Sequence, residues 1–554
     1  MKRTSVDADA LKQPFIEEKA LLAEALLDDD HQSRPPPGTS ADLLSKAVMA
    51  SRPSHLYRLS KRFAYCFVPQ FVRSHVWNDT APATKQFPTS YLNGLRGITA
   101  IKVFTFHYTM AFSDFGFQPW GTDEHHMYLL ELPIIRYFYS GFTAHVFFGI
   151  AGYLTTLRLF KLMDKHDQPS QAKVLVNISG ALFRRALRLY LPTLIITLIT
   201  AHYIYFGYYE NNRPYLLDHE MLFPGEWKEP KPAMFATYYE QMSFWASEMF
   251  NLSNIFNQGS RGAVYPWHDQ HLWSILAEMK GSLFLYMILI ATAQCRVYVR
   301  LAVMCLMTYM YFLWNHWEIW VYILGAIVAQ IDLLLTEREE RHKHLLGTPN
   351  GLPPSPPRSP AAEADDKVKD YVWTQYHPAA PKAAWSWLRV FGFCVAFYFL
   401  SYPIDGYRDY APGYIWLNKL IPEWMDRKDK FYPNIGTGIL LLLLARADPE
   451  TSTWRRICNS DLAQYLGKIS FGLYLVHGPV LHAFGYMLPQ RMWWSMGVQG
   501  IETDNNTWAA VLCVGWAISL AVSICVADVW SREVEGRCVK AVKKVEEFSF
   551  VKTR

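Results

Sequence analysis

Cysteine is scarce in this 554-residue chain: there are eight (Cys66, Cys295, Cys305, Cys394, Cys458, Cys513, Cys525 and Cys538), and no two form a Cys-x-x-Cys pair. Most fall in apolar spans or on the side read below as cytosolic, which argues against a disulfide framework and against a thiolate zinc site. Excess charge is scarce too. A net +5, spread along the chain, gives no sign of nucleic-acid binding. There is no G-x-S-x-G elbow, no P-loop, no H-E-x-x-H helix and no paired-glycine dinucleotide fingerprint. The two halves share no sequence repeat, which weighs against an inverted-repeat transporter. Met1 to Asp30 is charged and helix-prone, so no cleavable signal peptide is expected there.

What is abundant is apolar and aromatic surface. Hydrophobic residues make up 51% of the chain and aromatic residues 16%, arranged in separate blocks. Each block is about 18 to 25 residues long, the length needed to cross a bilayer. Ten spans are predicted, near 92–112, 137–160, 185–206, 272–294, 296–314, 318–335, 385–402, 431–446, 469–488 and 508–530. Basic residues gather on one side of them: Arg158, Lys161, Arg184 and Arg185, then Arg296 and Arg300, then Arg446, Arg455 and Arg456, then Arg532 and Lys540. The opposite loops lean acidic, with Asp123, Glu124 and Glu131 in the first and Glu210, Glu226, Glu240 and Asp269 in the second. The positive-inside rule then places both termini in the cytosol. The loop at 403–430 is mixed and decides nothing.

The expected fold is an all-α integral membrane protein, a polytopic bundle of about ten transmembrane helices. Its parts are a cytosolic tail (1–90), a first membrane part (91–335), a cytosolic low-complexity linker (336–384), a second membrane part (385–530) and a cytosolic basic tail (531–554). Within the tail, Leu56 to Trp77 mixes basic and aromatic residues and suits a helix on an anionic membrane surface; a solvated linker fits equally. The aromatic, proline-rich loop from Gly207 to Gln270 is long enough to cover the outer mouth of a cavity. Asn251-Leu252-Ser253 within it is a possible glycosylation acceptor, which fits a plasma membrane or a secretory-pathway endomembrane.

The chemistry is concentrated in the first span. Arg96 and His107 are eleven residues apart, which is about 16 Å along a helix axis and nearly the same face. One stripe thus presents a guanidinium near the membrane surface and an imidazole near the midplane. Ionisable groups at that depth usually face the bundle interior or a water-filled cavity. A histidine hydrogen-bonded to a neighbouring helix would give the same pattern. Arg185 and Arg188, at the cytosolic start of span three, share a helical face and suit phosphate, although topology alone also enriches arginine there. Glu278 in span four comes within a few ångströms of the depth of His107 and could orient the imidazole; a structural pair with another helix is the alternative. His477 lies deep in span nine, before the helix-kinking Pro479, in a role open between chemistry and packing. The clusters His268-Asp269-Gln270-His271 and Glu124-His125-His126 are short loop groups, and no metal is expected at them.

Four stretches together resemble the acyltransferase 3 family of integral-membrane acyltransferases, in its fungal form. They are Leu92 to His107 (L-x-G-L-R-G-I with a histidine eleven after the arginine), the Arg185/Arg188 pair, Trp273 to Glu278, and Leu466 to Pro479. The resemblance covers about residues 90 to 530. It implies about ten helices and transfer of an acyl group, often acetyl, from a coenzyme A thioester to a hydroxyl of a sugar, glycolipid or small natural product. It makes His107 the catalytic base, assisted by Glu278, and Arg96, Arg185 and Arg188 binders of the donor's phosphates. Gly152, Tyr153, Trp273, Tyr474 and His477 are expected to line the cavity. No tightly bound cofactor is expected; acyl-CoA is a co-substrate, and the partners are the acceptor and the bilayer, with no nucleic acid. Two features depart from the family pattern. Ala151 stands where the family has a serine, and Lys102 lies inside span one, about 140° around from His107, to snorkel or to bind donor. A transporter or exporter of an amphiphile, and a catalytically dead scaffold, are the competing readings.

Overall fold

The computed structural model describes residues 68–76, 87–113, 131–138, 144–209, 232–257, 264–347, 382–404, 409, 411–498 and 503–550, all within one compact unit, Phe67–Arg554. The described residues are helical, with no strand among them. The helices that position the site are α1 (Ser90–Thr109), α2 (Ala144–Met163), α3 (Gln168–Tyr205), α4 (Tyr238–Ser253), α5 (Trp273–Ala291) and α6 (Val297–Leu313). They continue as α7 (Trp317–Gly347), α8 (Lys382–Leu400), α9 (Phe431–Ala445), α10 (Asp461–Val480), α11 (Asn505–Trp530) and α12 (Gly536–Ser549).

A helix stands at each of the ten expected positions. Among the described residues, five segments are long and apolar enough to cross a bilayer: α2, α3, α5 with the turn before it, most of α7, and α11 running on into α12. The helix with the most functional groups, α1, is not among them, because Arg96, Lys102 and His107 interrupt its apolar run. The helix-prone stretch Met1 to Asp30, the loop group Glu124-His125-His126 and residues 348–366 of the low-complexity linker lie outside the described residues. Of the interfacial segment 56–77, residues Gln70–Val76 form a helix tied to the bundle through Gln70, whose N–H donates to Asp528 at 3.3 Å and whose Oε1 accepts from Lys468 at 2.7 Å.

Two helix boundaries differ most from the sequence reading. The third helix begins at Gln168 instead of near 185, because Asp167 caps it by accepting from the Ser170 N–H at 2.6 Å. Its 38 residues make a rod of about 57 Å, well beyond the ~30 Å of a hydrocarbon core. In the same way α7 runs past the expected end at 335 to Gly347, since Glu337-Arg338-Glu339-Glu340-Arg341 is a run of good helix formers.

Lipid-embedded helices gain little from hydrophobicity when they meet, so close backbone approach and polar links decide which faces pair. The α1–α10 contact shows this. A Cβ on Gly97 would lie 2.4 Å from the Gly467 nitrogen, and one on Gly467 would lie 2.1 Å from the Asn93 carbonyl oxygen. Gln464 ties the same crossing to α1, donating to the Ser90 carbonyl at 2.8 Å. The glycines of two separate sequence motifs are therefore two halves of one interface. The α2–α7 pair is held in the same fashion, and Gly152 there abuts the Tyr322 carbonyl. Around these pairs one apolar core spans α2, α5, α7, α8 and α9, and another joins α1, α3, α5, α10 and α11.

Candidate active site

Three imidazoles meet in the interior, each from a different part of the chain: His107 in the last turn of α1, His271 in the turn before α5, and His477 near the end of α10. One ring nitrogen from each lies within 4.8 Å of the others. The His107 and His271 rings stand edge to face, with centroids 4.0 Å apart and planes at 89°. The His271 and His477 centroids are 4.5 Å apart, and those of His107 and His477 5.3 Å. His271 and His477 are buried, at 3% and 1% exposure, while His107 is half-buried.

Each of the two buried rings is held by its Nδ1. Asp269 caps the turn that carries His271, accepting from the His271 backbone N–H at 3.1 Å, and the same Oδ1 lies 2.6 Å from His271 Nδ1. The Nδ1–H of His477 faces the Tyr474 carbonyl at 2.7 Å. Since a carbonyl only accepts, that nitrogen carries the hydrogen, and in the neutral ring the lone pair is on Nε2. The Tyr474 hydroxyl donates to the His271 carbonyl and accepts from Ser274 Oγ at 2.8 Å, joining α10 to the start of α5. Tyr486 secures the end of α1, its hydroxyl donating to the His107 carbonyl at 3.1 Å.

Further along the same helices lies a charged group. The Arg185 guanidinium of α3 donates to Glu278 of α5 at 2.9 Å and to the Tyr322 hydroxyl of α7 at 2.8 Å. Arg96 faces this group, with Glu278, Arg185, Tyr322 and Glu535 as its charged or polar neighbours. Glu278 is seven residues beyond His271, about 10 Å of helix, and Arg96 is about 16 Å from His107 on α1. The charged group and the imidazole group are thus two levels of one bundle interior.

This placement corrects the expected pairing of Glu278 with His107. The Glu278 carboxylate is engaged by Arg185, and the carboxylate that holds an imidazole is Asp269, on His271. One helical turn places a side chain only if its partner's helix is also placed, and α3 brings Arg185 to Glu278 first. Arg188 is exposed. Lys102 joins neither group: it is buried at 5% exposure with its ammonium 3.5 Å from the centre of the Tyr137 ring. Gly152 and Tyr153 lie in the α2–α7 packing, where the Tyr153 hydroxyl donates to Asp332 at 2.7 Å. Trp273 packs among aromatics, its ring tilted against that of Trp317 with centroids 5.9 Å apart. A cavity of about 230 Å³ is lined by Glu131, Leu132, Pro133, Arg136, Pro412, Gly413 and Tyr414, none of them an expected site residue. Asp269 and His271 were legible only as a loop cluster; their Asp-x-His spacing signals a local turn, not the distant rings it meets. The helix α4 packs beside that loop, with Gln241 3.4 Å from His268.

Comparison with known proteins places the chain among acyltransferases. A model described as an acyltransferase domain matches residues 89–528, which include every residue of both groups except Glu535. An O-acetyltransferase, PaAT-1, of Phomopsis amygdali is 26% identical over 76% of this chain and 78% of its own length. Acyltransferase R4 of a Phoma species is 25% identical, over 84% of this chain and 97% of the relative. Acyltransferase clz18 of Cochliobolus lunatus is 23% identical over 78% and 90%. No solved structure matches. The matched span takes in the helices that assemble the imidazoles and the arginines, and the chain belongs to the acyltransferase 3 family: it is an integral membrane acyltransferase that transfers groups other than amino-acyl groups.

Proposed function

We propose that the protein moves an acyl group, acetyl first among the candidates, from an acyl-CoA thioester to a hydroxyl of a sugar, glycolipid or small metabolite, with His107 as general base. The observation that carries this reading is the two-level interior, arginines at one level and imidazoles at the other. The CoA phosphates cannot enter hydrocarbon and stay with Arg96, Arg185 and the exposed Arg188, while the thin pantetheine arm spans the distance to the histidines. His107 takes the acceptor's hydroxyl proton as the oxygen attacks the thioester carbonyl. The C–O bond forms, the C–S bond breaks, and the leaving thiolate takes the proton back from the imidazolium. Asp269 and His271 stand beside that ring to offset its transient charge, the part first assigned to Glu278; Glu278 instead fixes the Arg185 fork. The printed activity of the Phomopsis relative, O-acetyl transfer, supports the same reaction type.

In this reading all ten helices cross the bilayer, both termini are cytosolic, and the membrane is the plasma membrane or a secretory-pathway endomembrane. Purified His107→Ala protein, eluting and melting like the wild type, is expected to show no transfer of labelled acetyl from acetyl-CoA to extracted metabolites. Retained transfer in that variant would reject His107 as the base.

A further inference from the structure

We propose that His107, His271 and His477 form a binding site for one zinc-class divalent cation, held by three imidazole nitrogens with a fourth position open. The inference goes beyond acyl transfer and does not rest on it.

The donor set comes first. Three ring nitrogens lie within 4.8 Å of one another. A tetrahedral zinc at 2.0–2.1 Å from each nitrogen needs them about 3.4 Å apart, which modest side-chain rotations supply. All three ligands are imidazoles, a set that suits zinc, copper, nickel or iron and not the oxygen-seeking magnesium or calcium. The outer support comes next. Metal-bound histidines almost always give their other ring N–H to a carboxylate or a carbonyl, which fixes the ring and raises its basicity. Here Asp269 lies on Nδ1 of His271 and the Tyr474 carbonyl on Nδ1 of His477, the outer partners such a site calls for.

The third observation is charge. Asp269 is 4% exposed; its Oδ1 takes both contacts from His271, and its Oδ2 has no hydrogen-bond donor among the described residues. A dication bound on the far side of the His271 ring would place positive charge close to this buried carboxylate. With the cation bound, the lone pair of His107 is occupied and cannot accept a proton.

The test uses the full-length protein in detergent, stripped with a chelator and then given zinc chloride alone. After desalting, the wild type is expected to retain one equivalent of zinc by mass spectrometry, and cobalt in its place gives the visible bands of a four-coordinate site. His271→Ala and His477→Ala are expected to lose the retained metal. Asp269→Asn weakens binding by about 10- to 100-fold, the usual cost of removing such an outer partner, and Arg185→Ala leaves it unchanged. The cobalt spectrum of the wild type keeps the test decisive where a histidine variant fails to fold. Wild-type protein that retains no stoichiometric zinc, or variants that all retain it, overturn the site. Acyl transfer measured alongside separates the two readings. Zinc bound with transfer falling in step supports both. Zinc bound with transfer undiminished supports the site and rejects His107 as base. No zinc, with His107→Ala inactive, rejects the site and leaves the base.

Discussion

The Asp269 carboxylate holds Nδ1 of His271 at 2.6 Å, deep in the bundle and two residues away in sequence. The contact fixes which nitrogen of His271 points at His107 and how the ring stands. Asp269→Asn keeps the shape but removes the charge and the certainty of the tautomer. In the acyl-transfer reading kcat is expected to fall by about 10²-fold with the donor KM within twofold. Steady-state kinetics with acetyl-CoA check this; a change confined to KM would place Asp269 in binding instead.

Gly478 is the point where α10 passes this pair. A Cβ there would lie 2.6 Å from His271 Nδ1 and 2.7 Å from Asp269 Oδ1. Neither group can move without losing the other, so Gly478→Ala is expected to cut turnover more than tenfold. Overpacking also destabilises the fold by about 1–3 kcal/mol. Thermal melting and activity of the same preparation separate the two effects.

The arginines differ in their surroundings, and the differences should appear in donor affinity. Arg185 is fixed by Glu278 and Tyr322, Arg96 faces the same group, and Arg188 is exposed. Arg96→Ala and Arg185→Ala are each expected to raise the acyl-CoA KM by about tenfold, the equivalent of about 1.4 kcal/mol. Arg188→Ala raises it less, since an exposed guanidinium is screened by water and salt. Equal effects from all three would show that the donor's phosphates lie outside the bundle mouth.

Outside the membrane spans, Asp429 forms a buried ionic group with Lys430 at 2.9 Å and Arg427 at 3.0 Å. Burial alone would push the Asp429 carboxyl up, but the two cations outweigh it and hold the group below its ordinary value. A depressed carboxyl contributes stability that is present above the unfolded-state pKa of about 4 and lost as pH falls through the folded value. The melting temperature is therefore expected to drop as pH falls below about 4, and Asp429→Asn should flatten that acid limb. At neutral pH the same substitution costs about 3–5 kcal/mol, because it removes the carboxylate that faces the buried Lys430 ammonium.

Sequence alone determined the helices and the stripe on α1, because periodicity and the length of apolar blocks follow from backbone geometry and from the bilayer. Arg96 and His107 share a face whatever surrounds them. Sequence spacing also pointed to Glu278 as the partner of His107, and there it failed: equal depth on two helices does not fix how those helices are rotated or which third helix intervenes. Only the tertiary structure brought Arg185 to Glu278, Lys102 to Tyr137, and Asp269, His271 and His477 to His107. Those pairings depend on close glycine crossings such as Gly97 on Gly467, where a few tenths of an ångström decide the packing. No local pattern encodes contacts between segments so far apart in the chain.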